Sequence, residues 1–113
     1  MIPLNFGEKK PKEASAMFAR LTTIQLKIDK IDDAVQICKE SIVPAAQSQK
    51  GFLKLKMFLE RETGKAIFCT LWETKDDAIA NEKSLYYQEQ IVKIMPLWRS
   101  NPIREGFDVE IDV

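Results

Sequence analysis

The sequence has no histidine among its 113 residues. Histidine is the side chain most often used as a general base near neutral pH, as a metal ligand and as an axial ligand of haem. Its absence therefore excludes the usual form of each of these sites. Cysteine is scarce as well: the two present form no Cys-x-x-Cys redox pair and supply no zinc site. The four glycines form no Gly-rich phosphate loop.

The chain also lacks an excess of charge and a long apolar run. It has 17 basic and 17 acidic residues, so its formal net charge is zero. A general nucleic-acid binder needs surplus lysine and arginine to displace counterions, so that class is not expected. No apolar run approaches the roughly 20 residues of a membrane span, and residues 1–16 do not resemble a secretory signal. We therefore expect a cytoplasmic protein without nucleic-acid or membrane partners.

The patterns that are present predict one domain over residues 17–113 after an irregular lead-in over residues 1–16. Alternating apolar positions predict strands at residues 17–28, 52–61, 66–72 and 103–113. Helical spacing predicts a helix after Asp29 that Pro44 kinks or ends, and a second helix over residues 75–95. This order indicates an α+β fold, the ferredoxin-like βαββαβ sandwich, with both helices on one face of an antiparallel sheet of strand order 4-1-3-2.

The alternation within the strands assigns one side of the sheet to the helices. The residues predicted on that side are Ile24, Leu26, Leu53, Leu55, Met57, Ile67, Cys69, Leu71, Phe107 and Val109. The opposite side then carries Leu21, Phe58, Phe68 and Trp72 among polar residues such as Thr23, Gln25 and Thr70. A bare sheet face with this many large side chains is an apolar patch, and such patches usually mark a partner or a ligand.

Charges at the two edges of the predicted sheet indicate what that partner is. Lys54 and Lys56 lie on the second strand, and Asp108 and Glu110 lie on the fourth, at the opposite edge. Two copies packed face to face about a twofold axis would bring the lysines of one near the acids of the other. We therefore predict a homodimer with these four residues at its interface. The alternative is that they are solvated edge charges that discourage aggregation.

Several short motifs carry a family resemblance. They are Val43-Pro44-Ala45-Ala46 followed by Gly51-Phe52, the junction Trp72-Glu73-Thr74, and the pair Tyr86-Tyr87. With them, residues 18–113 resemble the dimeric α/β-barrel superfamily, and most closely its antibiotic biosynthesis monooxygenase branch. Members of that branch oxidise polycyclic quinol-like substrates without metal or flavin, degrade haem, or have no assigned activity. Many carry a His-x-x-Ser motif on the helix, which here is Asn81 and Ser84.

The resemblance and the missing histidine together imply the chemistry. Because Asn81 cannot ligate haem iron in the usual way, we expect no cofactor and no metal, and an oxygenase acting on a small aromatic or quinol-like substrate. The predicted catalytic residues are Trp72, Asn81 and Tyr86, with Tyr87 as the alternative to Tyr86. The predicted substrate-binding residues are Phe68, Thr70, Gln25, Thr23 and Arg99, with Arg20 as the alternative to Arg99 for lowering the pKa of a phenol by its charge.

Plainer interpretations stand beside these roles. Trp72 at a strand end can simply pack or contact a second copy, and Tyr87 shares an apolar stripe with Ile91 and Trp98. RNA-recognition motifs share the element order, but their third strand needs aromatics spaced by two, whereas Phe68 and Trp72 are spaced by four. The second functional class is a non-catalytic homodimer that binds a small apolar ligand or acts as a stress or accessory protein.

Overall fold

A four-stranded antiparallel sheet forms one layer of the computed structural model, which describes residues 17–113. The strands are β1 (Phe18–Gln25), β2 (Phe52–Glu60), β3 (Lys65–Trp72) and β4 (Ile103–Asp108). They lie in the order β2-β3-β1-β4, which confirms the predicted 4-1-3-2 arrangement and the ferredoxin-like fold. The lead-in predicted for residues 1–16 lies outside the described residues. The last strand ends at Asp108 and is therefore shorter than the strand predicted over residues 103–113.

The first crossover is a helical segment with an unusual winding before its proline. A 3-10 turn (Ile28–Lys30) leads into α1 (Ile31–Ile37), a π-helical stretch (Cys38–Ile42) and α2 (Val43–Gln47). Pro44 has no amide hydrogen to donate, and its ring crowds the preceding turn of a regular α-helix. A π-helical stretch widens the winding just before Pro44, so the helix continues past the proline to Gln47.

The second crossover is two helices, where the sequence predicted one over residues 75–95. They are α3 (Lys75–Lys83) and α4 (Leu85–Val92), followed by a 3-10 turn (Met95–Leu97). Ser84 interrupts them with an extended backbone, φ −68° and ψ 123°, and its hydroxyl accepts a hydrogen bond from the Tyr87 amide. The serine thus caps α4, which gives the chain an alternative to a continuous helix. Thr74 caps α3 in the same way, accepting from the Asp77 amide at 3.0 Å.

The side of strand β3 that faces the helices is the opposite of the predicted side. Ala66, Thr70 and Trp72 are buried, whereas Cys69 lies on the open face. Antiparallel partners share a face, and Ala66 pairs with Ile24, which lies in the core. Ile67 and Leu71 are each two residues from Cys69 along the strand and therefore lie on the open face as well. Phe68 packs against the core.

The outer strands need smaller corrections. A register shift between Phe52 and Lys54 turns Phe52 toward the Trp72 ring and leaves Leu53 exposed, so Leu53 is not part of the predicted helix-facing set. On β4, Phe107 pairs with Ala19 on the open face. Asp108 pairs with the buried Phe18, on the helix side, rather than on the open face where the sequence placed it.

The principal core lies between the sheet and the helices. Its fully or nearly buried members are Ile24, Leu26, Ile31, Ala34, Cys38, Ile42, Ala66 and Ile94, and Met57, Leu59 and Phe68 pack against them. The apolar residues at helical spacing after Asp29, namely Ile31, Ala34, Cys38 and Ile42, and the predicted inward positions Ile24 and Leu26 thus form the core. The open face of the sheet carries exposed or half-exposed apolar residues, among them Leu21, Phe58, Ile67, Leu71, Ile103 and Phe107.

Candidate functional site

A cavity of about 100 Å³ lies between the sheet and the second helical segment. Most of its wall is aromatic or aliphatic, and Ile24, Phe68 and Trp72 on the sheet face Ile91 and Ile94 on the helical side. Six polar or charged residues also line it: Arg20, Thr22, Thr70, Asn81, Glu82 and Arg104. An apolar pocket with a few convergent polar groups is the usual form of a small-molecule site.

Trp72 forms the fixed part of the wall. The alternation of β3 places it on the same side as Phe68 and Thr70, and its side chain is 1% exposed. Its indole Nε1 donates to the Thr70 hydroxyl at 2.9 Å, and Phe52 packs edge-on against its ring with centroids 5.7 Å apart. The Trp72 ring is therefore held in one orientation by contacts on several sides.

Three charged side chains form a cluster at one side of the cavity. Arg20 Nε lies 2.6 Å from Glu82 Oε2, and Arg20 Nη2 donates to Glu82 Oε1 at 3.4 Å. Arg104 Nη1 lies 4.0 Å from the same Oε1 atom. The side chains of Arg20 and Glu82 are 18% and 20% exposed, so water screens this pair only in part. One carboxylate faces two guanidinium groups, which leaves a net positive charge beside the cavity.

Two residues that line the cavity each have a buried side-chain atom without a hydrogen-bond partner among residues 17–113. These atoms are Oδ1 of Asn81, an acceptor, and Nε1 of Trp98, a donor. Buried polar groups are normally paired, and an unpaired one costs about 1–3 kcal/mol of desolvation free energy. A native protein contains only a few such atoms, and here both belong to residues that line the cavity.

Tyr87, which is partly buried against the core, also lines the cavity. Burial raises the pKa of Tyr87 above its usual value, the Asn81 amide and the Arg104 guanidinium oppose this shift, and Glu82 adds to it. The break at Ser84 makes this arrangement possible, because Asn81 lies on α3 and Tyr87 on α4, and both line one cavity. The phenol is therefore protonated near neutral pH and acts as a hydrogen-bonding group.

The structure brings together four of the residues predicted for the site. Trp72, Asn81, Phe68 and Thr70 all line the cavity, as does Arg20, which the sequence offered as the alternative to Arg99. Their roles in binding and catalysis remain predictions.

The other predicted site residues lie elsewhere. Tyr86 is 50% exposed and is not part of the cavity wall, whereas its neighbour Tyr87 is. Thr23 and Gln25 point to the open face of β1, opposite the cavity, because they alternate with the core residue Ile24. The guanidinium of Arg99 is occupied by hydrogen bonds to the carbonyls of residues 26 and 63 and to the Gln25 side chain. These four residues do not contact the cavity.

Sequence reasoning missed Glu82, Arg104 and Trp98 as site residues. One signal was available: Arg20 shares the inward alternation of β1 with Phe18 and Ile24, and a charge on the core side of a central strand needs a partner. Glu82 is that partner, and its position beside Asn81 on α3 follows only from the packing of helix on sheet.

No group of three or more histidine, cysteine, aspartate or glutamate side chains within residues 17–113 is placed to hold a metal ion. Across the same residues, no helix combines the length and apolar character needed to cross a bilayer.

Comparisons with known proteins show a sequence similarity over part of the chain and a similarity of fold over most of it. No family model matches the chain. Two proteins of Mycobacterium tuberculosis that are described as uncharacterized are 28% identical to it over 74 residues, which is 66% of this chain and 33% of theirs. The chain therefore spans about a third of the length of the curated relatives it matches.

Solved structures resemble the chain over most of its length. Two are named "putative antibiotic biosynthesis monooxygenase". The one from Nitrosomonas europaea has a TM-score of 0.74 at 10% identity and covers 85% of this chain and 92% of its own. The one from Bordetella bronchiseptica has a TM-score of 0.76 at 14% identity, with 85% and 99% covered. A conserved protein of Methanosarcina mazei has a TM-score of 0.76 at 12% identity, with 88% and 98% covered. At these identities the likeness concerns the fold. The chain has the ferredoxin-like fold of the structures that carry the antibiotic biosynthesis monooxygenase name.

Proposed function

We propose that the protein is a cofactor-independent monooxygenase-like enzyme and that the cavity beneath α3 and α4 binds its small aromatic or quinol-like substrate. The observation that carries this proposal is the meeting of an aromatic wall, Trp72 and Phe68, with the cluster of Arg20, Glu82 and Arg104 in one cavity. The shared fold with structures named as monooxygenases supports the reaction class.

The charges of the cluster suit the first step of such a reaction. A phenol that binds beside Arg20 and Arg104 has its anion stabilised by the surplus positive charge, which lowers the pKa of the phenol. Glu82 is the carboxylate on the cavity wall and is placed to accept the proton that the phenol releases. The partial burial of Arg20 and Glu82 limits screening by water, which strengthens these electrostatic interactions.

The substrate then supplies the electrons. A phenolate that activates a neighbouring CH₂ group transfers an electron to O₂, and the two radicals combine to form a C–O bond. Loss of water from the resulting hydroperoxide leaves a carbonyl. One oxygen atom enters the product and the other leaves as water, so CH₂ plus O₂ becomes C=O plus H₂O. The protein's contribution is to orient the ring, hold the anion and move one proton.

Oxygen uptake with a panel of anthrone-type and quinol-type compounds tests the proposal. We expect Arg104→Gln to lower kcat/KM about tenfold, or about 1.4 kcal/mol, because it removes one of two charges that stabilise the anion. Arg104 is 56% exposed in its side chain, so this variant should fold. Arg61→Gln is the matched control, because Arg61 pairs with Asp32 on the surface. No uptake with any compound, or equal losses in both variants, would contradict the proposal.

We also propose that the open face of the sheet is covered by a second copy of the chain. This face carries the half-exposed apolar residues of all four strands, together with Lys54 and Lys56 at the β2 edge and Glu105 at the β4 edge. Glu105 takes the role that the sequence gave to Asp108, and Glu110 lies beyond the end of β4. A twofold arrangement brings the lysines of one copy toward the glutamate of the other.

The reactivity of the two cysteine thiols tests this dimer. Cys69 lies on the open face, whereas Cys38 is 3% exposed and burial raises its pKa to about 12. Because the thiolate is the reactive form, Cys38 should stay unmodified in the folded protein at pH 8. We expect the rate at which a maleimide modifies Cys69 to fall as the protein concentration rises, since the dimer covers it. A rate independent of concentration from nanomolar to high micromolar would argue against the dimer. Reaction of both thiols in urea is the control.

A second function remains for the same cavity, that of a non-catalytic homodimer that binds a small ligand. The observation that favours it is the small volume of about 100 Å³, which is little for a polycyclic substrate. Binding of a quinol-type compound without oxygen consumption would distinguish this function from the enzymatic one.

A further inference from the structure

Gly106 lies at a position where a side chain would collide with the charged cluster of the cavity. It is on β4 and pairs directly with Arg20 on β1. A Cβ atom at position 106 would lie 2.4 Å from Cζ of Phe18 and 2.7 Å from Nη1 of Arg20. Non-bonded carbon and nitrogen atoms pack at about 3.5–4.0 Å, so both contacts would be clashes. The Phe18 ring and the Arg20 guanidinium therefore fill the space that a side chain would need.

The backbone does not require a glycine at this position. Among residues 17–113, the glycines with a positive φ are Gly51 and Gly64, and Gly106 is not one of them. A glycine inside a strand weakens the strand, and it often marks a place where another group approaches closely. The close packing of Phe18 and Arg20 is thus the reason that the structure supplies for Gly106.

The Arg20 guanidinium has contacts on three sides. Its Nε and Nη2 atoms donate to Glu82 at 2.6 and 3.4 Å, and its Cζ atom lies 5.1 Å from the centroid of the Phe18 ring. Its Nη1 atom lies against Gly106. Phe18 is 5% exposed and belongs to a buried core cluster, so its ring has little room to retreat. A methyl group at position 106 would therefore displace mainly the guanidinium, which is the flexible end of its side chain, away from Glu82.

We propose that Gly106 is a positioning residue of the candidate site: it leaves the room that holds the Arg20 guanidinium beside Glu82 on the cavity wall. This inference rests on the proposed function only in taking Arg20 as a group that stabilises the anion of the substrate. The interaction energy of two charges falls as their separation grows, so a displaced guanidinium stabilises that anion less.

Nuclear magnetic resonance of a ¹⁵N-labelled Gly106→Ala variant tests the positioning without a substrate. The Nε–H groups of Arg20 and Arg99 donate hydrogen bonds to Glu82 and to the carbonyl of Leu26, respectively. We expect the Arg20 Nε–H to exchange with water at least about tenfold faster in the variant, because a hydrogen bond to a charged group is lost. The Arg99 Nε–H should exchange as in the unmodified chain, whereas a general loosening of the fold would accelerate both.

Two further variants make the test specific to the clash. Glu105→Ala changes the neighbouring residue of β4, which pairs with Leu21 on the open face, and it should leave the exchange of Arg20 unchanged. Phe18→Leu removes the Cζ atom that the new methyl group would meet, so Phe18→Leu with Gly106→Ala retains the clash with Arg20 alone. This double variant also serves if Gly106→Ala alone does not fold, and its Arg20 Nε–H should exchange faster than in Phe18→Leu.

The exchange rates also decide against the inference. Unchanged exchange of the Arg20 Nε–H in folded Gly106→Ala, or equal acceleration of the Arg20 and Arg99 signals, would overturn it. Equal Arg20 exchange in Phe18→Leu with and without Gly106→Ala would overturn it as well.

Oxygen uptake separates this inference from the enzymatic proposal. We expect Gly106→Ala to lower kcat/KM about as much as Arg20→Gln does, and the two changes together to cost no more than Arg20→Gln alone. Faster Arg20 exchange in a chain that consumes no oxygen would support the positioning and contradict the enzyme. Oxygen uptake with unchanged Arg20 exchange in Gly106→Ala would support the enzyme and overturn the positioning.

Discussion

Replacing Trp72 by alanine is expected to lower the free energy of unfolding by about 3–5 kcal/mol, the usual cost of truncating a buried aromatic side chain to alanine. Trp72 is the largest of the fully buried side chains among residues 17–113. The truncation also removes the indole N–H that donates to Thr70 Oγ1 and the ring against which Phe52 packs. A loss of this size is a large part of the stability of a small domain, which is about 5–15 kcal/mol.

Urea unfolding followed by circular dichroism measures this loss. Trp72→Phe is the matched control: it keeps an aromatic ring but loses the indole N–H, so we expect a loss of about 1–2 kcal/mol. Tyr86→Ala, at a half-exposed position, should change the stability by no more than about 1 kcal/mol. A Trp72→Ala variant within about 1 kcal/mol of the unmodified chain would show that the Trp72 ring is not held as described.

Leu71→Glu is expected to convert the proposed dimer into monomers. Leu71 lies on the open face of the central strand β3, next to Lys54 on β2 and away from both sheet edges. A glutamate there adds a charge to the middle of an apolar interface and draws Lys54 away from the glutamate of the other copy, and burying these charges costs several kcal/mol of desolvation free energy. We therefore expect the dissociation constant of the dimer to rise at least about 100-fold, equivalent to about 2.7 kcal/mol.

Sedimentation velocity over a range of concentrations measures the change. Val92→Glu is the matched control, because Val92 is 59% exposed on α4, in the helical layer, and the same charge there should leave the dimer intact. An unmodified chain that is monomeric at high micromolar concentration would refute the dimer. Equal effects of the two substitutions would show that the open face is not the interface.

The order of elements was predictable because each element has its own apolar period and each boundary has a polar turn or a cap. The stripe of Ile31, Ala34 and Cys38 defines the first helix, and Gly64, with φ 81°, closes the β2–β3 hairpin. These signals are local, and the sheet order follows from them with right-handed crossovers.

The inward side of β3 was not predictable from alternation alone. Both sides of this strand are apolar, since Ile67 and Leu71 alternate with Phe68 and Trp72. The register against Ile24 on β1 decides which side faces the helices, and that is a long-range property. An apolar outer face, expected for a sheet that packs on a second sheet, removes the contrast that usually identifies the core side.

The candidate site was predicted in part for the same reason. The family resemblance points to Trp72 and Asn81, which lie on the cavity wall, whereas the apolar stripe that contains Tyr87 favours Tyr86 as the accessible tyrosine. The extended backbone at Ser84 ends α3 and caps α4, and Tyr87 on α4 lines the cavity that Asn81 on α3 also lines. In the sequence, a single serine that can cap a helix is too weak a signal to outweigh a continuous helical pattern.

The tryptophan side chains offer the most direct test that the cavity binds a ligand. The chain has two tryptophans, and their indole N–H groups differ: Trp72 donates to Thr70, whereas Trp98 has no partner within residues 17–113. In a titration of ¹⁵N-labelled protein with hydroquinone under nitrogen, we expect both indole signals to move, because Trp72 and Trp98 both line the cavity. Movement confined to amides of the open sheet face, or no movement of the Trp98 signal at saturation, would contradict the account.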